Sequence, residues 1–90
     1  MGELRPGQLV RSKAGRDAGK YYFVWEKLDE GYYGVVDGKY KPIEKPKKKN
    51  IIHLQKHNYV SHGFVRDKES GKIMNSDIIY YLKKAVQAEG

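Results

Sequence analysis

Two glycines four positions apart, Gly15 and Gly19, enclose Arg16-Asp17-Ala18 and are followed by Lys20. A strand-like segment lies on either side of them. Glycine populates backbone conformations that a Cβ resists, so the chain turns sharply here and its backbone is free to approach a partner closely. The segment before the turn holds Leu9-Val10 and then Arg11-Ser12-Lys13; the spacing predicts a strand over Gln8 to Ser12, with Arg11 and Lys13 on one face if the strand extends that far. After the turn, Tyr21-Tyr22-Phe23-Val24-Trp25 is rich in the aromatic and branched residues that strands favour. The chain continues through Glu26-Lys27-Leu28, turns at Asp29-Glu30-Gly31 and returns as Tyr32-Tyr33-Gly34-Val35-Val36 to Asp37-Gly38, the pattern of a hairpin. Three short strands in about thirty residues are too few for a sandwich and suit a small barrel.

The run GQLVRSKAGRDAGKYYFVWEKLDEGYYGVVDG resembles a KOW motif, the strand-loop-strand unit of several ribosomal proteins and of elongation factors of the NusG type. Within that group it is most similar to the KOW-type L-fourteen family of eukaryotic-type large-subunit ribosomal proteins, in which an apolar strand leads into an AGR-x-AGK loop. Downstream, Lys47-Lys48-Lys49-Asn50-Ile51-Ile52-His53-Leu54 resembles that family's basic run ending in N-I-x-H-L. The resemblance covers Gln8 to Leu54. It implies a mostly β protein, a small Src-homology-3-like (KOW) barrel followed here by a C-terminal α-helix. It also implies RNA binding, with structured large-subunit rRNA as the target, and a structural or RNA-facing role for His53.

Ninety residues allow one domain. Residues 1–6 read as a flexible lead-in and 7–56 as the barrel, with a basic connection over 39–50; residues 57–90 read as a loop plus a helix packed on or near the barrel. The connection, GKYKPIEKPKKKN, has two prolines and abundant lysine, with Tyr40 and Ile43 as its only anchors, and is expected to be extended and open. Ile51 to Leu54 reads as a fourth strand, and Tyr59 to Phe64 as a fifth strand or a loop. Lys68 to Lys72 reads as a turn. Asn75 or Ser76 is placed to cap a helix and Asp77 to complement its dipole; Ile78, Ile79, Leu82, Ala85 and Val86 form one apolar stripe that needs a surface to cover.

The net charge of +7 is unevenly spread. Residues 41–56 hold six lysines and one glutamate, residues 11–20 four basic groups and one aspartate, and residues 21–40 are net negative by two. Two basic clusters flanking a less basic body are the footprint of a polyanion partner. Phosphate contacts are therefore expected from Arg11, Lys13, Arg16 and Lys20, and from Lys45, Lys47, Lys48 and Lys49, with Gly15 and Gly19 admitting the backbone. In the second strand both alternating sets are apolar. Tyr21, Phe23 and Trp25 form one set and Tyr22 and Val24 the other. One fills the core, and the other packs under the C-terminal segment or is exposed as a stacking surface for bases, with Tyr21 and Trp25, or else Tyr22, as the stacking residues.

Other chemistries find little footing. The chain has no cysteine, which removes thiolate zinc sites, cysteine nucleophiles and disulfides and fits a reducing, cytoplasmic location. No apolar run reaches membrane-spanning length, and no secretory signal is legible. His53, His57 and His62 lack the thiol or carboxylate partners of a metal shell. Gly15 to Lys20 is not a nucleotide-binding P-loop, because only three residues separate the glycines and Tyr21 stands where a magnesium-binding hydroxyl belongs. The expectation is a cofactor-free, non-enzymatic, ribosome-associated RNA-binding protein, monomeric when free. The alternative is a KOW-type protein-interaction module that contacts ribosomal or transcription proteins.

Overall fold

The computed structural model describes residues 3–89. Five strands, β1 (Gln8–Ser12), β2 (Tyr21–Asp29), β3 (Tyr32–Val36), β4 (Lys47–Asn50) and β5 (Leu54–Val60), precede two helices, α1 (His62–Glu69) and α2 (Asn75–Glu89). All strand pairs are antiparallel, in the order β4-β3-β2-β1-β5. The outermost strands, β4 and β5, are consecutive in the chain and joined only by a 3-10 turn, Ile51–His53. So short a link between opposite edges requires the sheet to curl on itself, giving the mostly β, barrel-like architecture with a C-terminal helix. Backbone bonds from Ile51 N–H to the Gly31 carbonyl and from Lys13 N–H to the His53 carbonyl, both 2.8 Å, fasten the turn between the edges.

Both faces of the sheet are buried. Val10, Tyr22, Val24, Tyr33, Val35 and Leu54 point inward and enclose one core, which Leu4 plugs. Leu9, Phe23 and Val36, on the opposite face, meet Phe64 of α1 and Ile78 and Ala85 of α2. This is why the two alternating sets of β2 are both apolar: one lines the curl and the other lies under the C-terminal segment. Trp25 is the extra residue of a bulge between the Val24–Val35 and Glu26–Gly34 pairs, and its ring stands edge-on to Phe64, 5.8 Å between centroids.

Several expectations for this half of the chain are corrected. Ile51 to His53 is not strand; the fourth strand is the lysine run itself, and the fifth carries the sheet to Val60, past residue 56. A lysine-rich strand is suited to the exposed edge it occupies, where its charges oppose pairing with another chain. The connection over 38–46 is not open but folded: the Asp37 carboxylate accepts from the backbone N–H groups of Lys39 (2.9 Å) and Lys41 (2.8 Å). Asn75 then accepts from Ile43 N–H at 2.9 Å and donates to Glu44. A Cβ on Gly38 would lie 2.5 Å from the Asn75 carbonyl oxygen, so this connection is clasped against the start of α2.

Residues 62–69 form a helix rather than a strand or loop, with Ser61 as its cap, accepting from Phe64 N–H at 3.2 Å. Its short length and Gly63 hide it in the sequence; Gly63 is required because a Cβ there would sit 2.7 Å from the Tyr81 ring of α2. Lys68 and Glu69 belong to the last turn of α1, and the turn proper follows it. For α2, neither Asn75 nor Ser76 is the cap. The helix starts from the Met74 carbonyl, and Asp77 reaches back to accept from Met74 N–H at 3.0 Å, leaving Asn75 to bind the connection. At the amino terminus residues 3–6 are tied down, through buried Leu4, whose N–H meets the Tyr33 hydroxyl, and a Glu3–Lys27 ion pair. Residues 1 and 2 of the expected flexible lead-in, and residue 90, lie outside the described residues.

Candidate nucleic-acid interface

The Gly15–Lys20 loop extends the β1–β2 ladder by two bonds, from Ser12 N–H to the Lys20 carbonyl (2.9 Å) and from Gly19 N–H to the Ser12 carbonyl (2.8 Å). Gly15 and Gly19 adopt φ of 86° and 91°, and the nearest atom to an added Cβ would be at an ordinary contact distance of 3.6 Å. Backbone conformation, not crowding, therefore selects glycine at both positions. The turn between them aims Asp17 inward and leaves Arg16 and Lys20 exposed.

Asp17 is the knot of the site. One carboxylate oxygen accepts from the Ser12 hydroxyl at 2.9 Å and from the Lys49 ammonium at 3.0 Å; the other accepts from the Tyr22 hydroxyl at 2.9 Å. Burial by itself would raise the Asp17 pKa, but the hydrogen bonds from Lys49, Tyr22 and Ser12, with the Lys49 charge, outweigh it and hold the carboxyl at about 2. Burial pushes the Tyr22 phenol well up, and the Asp17 carboxylate beside it adds to the shift. The knot joins the loop to β1, β2 and β4 while cancelling its own charge.

Two expected site residues are thereby corrected. Lys49 is 9% exposed and spends its ammonium on Asp17, so it supports the site from within instead of meeting a phosphate. Tyr22 is 1% exposed and belongs to the inner core, so no base can stack on it. Around this buried base, Gly15, Arg16, Lys20, Tyr40, Lys41 and Lys47 line a cavity of about 450 Å3. A second recess of about 420 Å3 continues along Lys45 and Lys48 and shares Tyr40, Lys41 and Lys47 with the first. Among the described residues no carboxylate forms an ion pair with Arg16, Lys20, Lys41, Lys45, Lys47 or Lys48. The cavity mouth is therefore strongly cationic.

The remaining expected residues are dispersed. Arg11 lies across the loop end, its Nε donating to the Gly19 carbonyl at 3.3 Å and its guanidinium 5.6 Å from the Tyr21 ring centre. Lys13 lines a different cavity, with Leu4, Ile51 and Leu54, and is joined to His53 through the backbone; neither lines the cationic one. Lys13 does not share a strand face with Arg11, because β1 ends at Ser12. Trp25 is half-buried on the helix-covered face, with the Lys68 ammonium 4.6 Å from its ring centre. Tyr21 is half-buried, its ring tilted against His57 at 5.3 Å. His57 in turn pairs through Nδ1 with Glu89, which fastens the end of α2 to β5.

Tyr40 and Lys41 are the site residues that sequence reasoning missed. Tyr40 is 66% exposed rather than an anchor, with the Lys20 and Lys39 ammonium groups 5.2 and 5.1 Å from its ring centre. The signal was the alternation Lys39-Tyr40-Lys41 directly after a glycine, a basic–aromatic–basic triplet at a loop tip.

Fold and site together define a small, barrel-like antiparallel β domain, clad in two helices on one face and carrying a cationic mouth beside an exposed aromatic ring. Compared with models of known protein families and with curated proteins, the chain matches none.

Proposed function

We propose that this domain binds RNA through the cationic mouth, as a protein of ribosomal type whose target is structured large-subunit rRNA. The observation that carries the reading is convergence: Arg16, Lys20, Lys41 and Lys47 come from three separate segments to one cavity, whose acid is neutralised from inside by Lys49. Lysines are point charges that position a protein on a phosphate backbone without reading bases, so shape and charge lead the recognition. The KOW resemblance of Gln8 to Leu54 supplies the ribosomal assignment and the expected cytoplasmic, ribosome-associated location.

A second reading, docking of a protein from the transcription or translation machinery, draws on Met74, Ile79 and Tyr80, apolar residues left exposed on or beside α2. Crosslinking in native cells, with RNA read at nucleotide resolution and the protein followed through a sucrose gradient, tests the first reading against the second. Crosslinks focused on one large-subunit rRNA site, together with cosedimentation, are expected. Background RNA recovery alongside a copurifying protein would overturn the RNA assignment.

A further inference from the structure

A groove of about 460 Å3 runs between the Asp37–Lys41 loop and α2, with Tyr40 on one side and Ile79, Leu82 and Val86 on the other. It is not a separate feature. Lys20 and Tyr40 line both this apolar groove and the cationic cavity, so the two adjoin at a single exposed ring. Lys39 and Lys83 add positive charge at the groove's margin. An occupant that fills both is apolar in one part and, away from the Asp37 carboxylate that also lines the groove, anionic in the part immediately attached. The volume lies within the range of about 300–1,000 Å3 that small-ligand pockets span.

We propose that this groove receives one unpaired nucleobase of the bound RNA, stacked on Tyr40 with its phosphate in the cationic cavity. The inference rests on the RNA-binding reading and adds to it a preference for RNA with an unstacked nucleotide. Tyr40 is held ready for the role, because the Asp37 carboxylate binds the backbone on both sides of it, at Lys39 and Lys41. Aromatic rings stack any base, so the preference is for an available base and not for a particular one. The lysines now over the ring are on flexible stems; when a base takes one face of the ring, an ammonium moves to the attached phosphate. An acidic apolar peptide matches the groove alone, but it leaves the continuity with the cationic cavity unused.

The test uses the full chain and three hairpin RNAs at low salt: one with a single bulged adenosine, one with an abasic residue at that position, and one fully paired. Wild type is expected to bind the bulged RNA roughly tenfold more tightly than the abasic one, the scale of one base–aromatic stack. Tyr40→Ala lowers affinity for the bulged RNA more than for the abasic and paired RNAs and so abolishes the preference, and Tyr40→Trp restores it. Val86→Glu, which puts a carboxylate in the groove, also removes it. Equal binding of all three RNAs by wild type, or equal weakening of all three by Tyr40→Ala, overturns the inference and leaves the RNA-binding reading standing. Binding to none of the three sinks both and turns the groove over to a peptide partner.

Discussion

The two faces of the curled sheet are stabilised by different physics. The helix-covered face is apolar throughout, with Leu9, Phe23 and Val36 packed on Phe64, Ile78 and Ala85. The inner face is apolar at its centre but ends, under the cationic mouth, in the Ser12–Asp17–Tyr22–Lys49 knot. The contrast teaches a division of labour. Apolar packing depends little on pH or salt and keeps the small domain whole, whereas the ionic knot fixes a loop at a chosen point and presents its cations outward.

The largest expected effect breaks the apolar face. Phe64 is fully buried and touches both Phe23 and Trp25, so Phe64→Ala should cost about 3–5 kcal/mol. Urea unfolding measures it, with Phe64→Leu as the milder variant if the alanine protein does not fold. Next comes the knot itself. Asp17→Ala leaves the Lys49 ammonium nearly buried and unpaired and should cost about 2–4 kcal/mol. A cycle with Lys49→Met should recover part of that loss; strict additivity would mean that the two residues do not act as a pair.

The pH response sharpens the comparison. The Asp17 carboxyl is depressed from 3.8 to about 2, so its contribution is complete above pH 4 and disappears as the pH falls through the window from 4 to 2. That shift corresponds to about 2 kcal/mol. Asp17→Asn should flatten the acid limb of stability in this window, while Phe64→Leu should lower the whole curve without changing its shape. An acid limb that is the same in Asp17→Asn and wild type would contradict the assignment. The smallest effect is expected at the exposed Glu3–Lys27 pair, where Glu3→Gln should leave the unfolding midpoint unchanged.

What the sequence made legible was the local part of this picture. β1, the β2–β3 hairpin and the Gly15–Lys20 loop are encoded by neighbours in the chain, through alternation and glycine placement. The inward aim of Asp17 was not legible, because its partners Tyr22 and Lys49 are brought to it only by the curl of the sheet. Lys47, Lys48 and Lys49 look alike in sequence, yet pairing with β3 sends Lys49 into the protein and leaves Lys48 outside. Likewise, the Lys39-Tyr40-Lys41 triplet signals a basic loop tip with an aromatic ring, but the fold of the 38–46 connection that holds it depends on Asn75, more than thirty residues away.

The most direct test of the cationic mouth is the salt dependence of binding to a structured RNA, compared between wild type and the double variant Lys41→Ala/Lys47→Ala. Contact with about four to six phosphates predicts a log–log slope of roughly −3 to −5 for wild type, and removing two contacts should reduce it by about 1.5 to 2. An unchanged slope in a folded double variant would mean that RNA is held elsewhere on the protein, and that this cavity is not the interface.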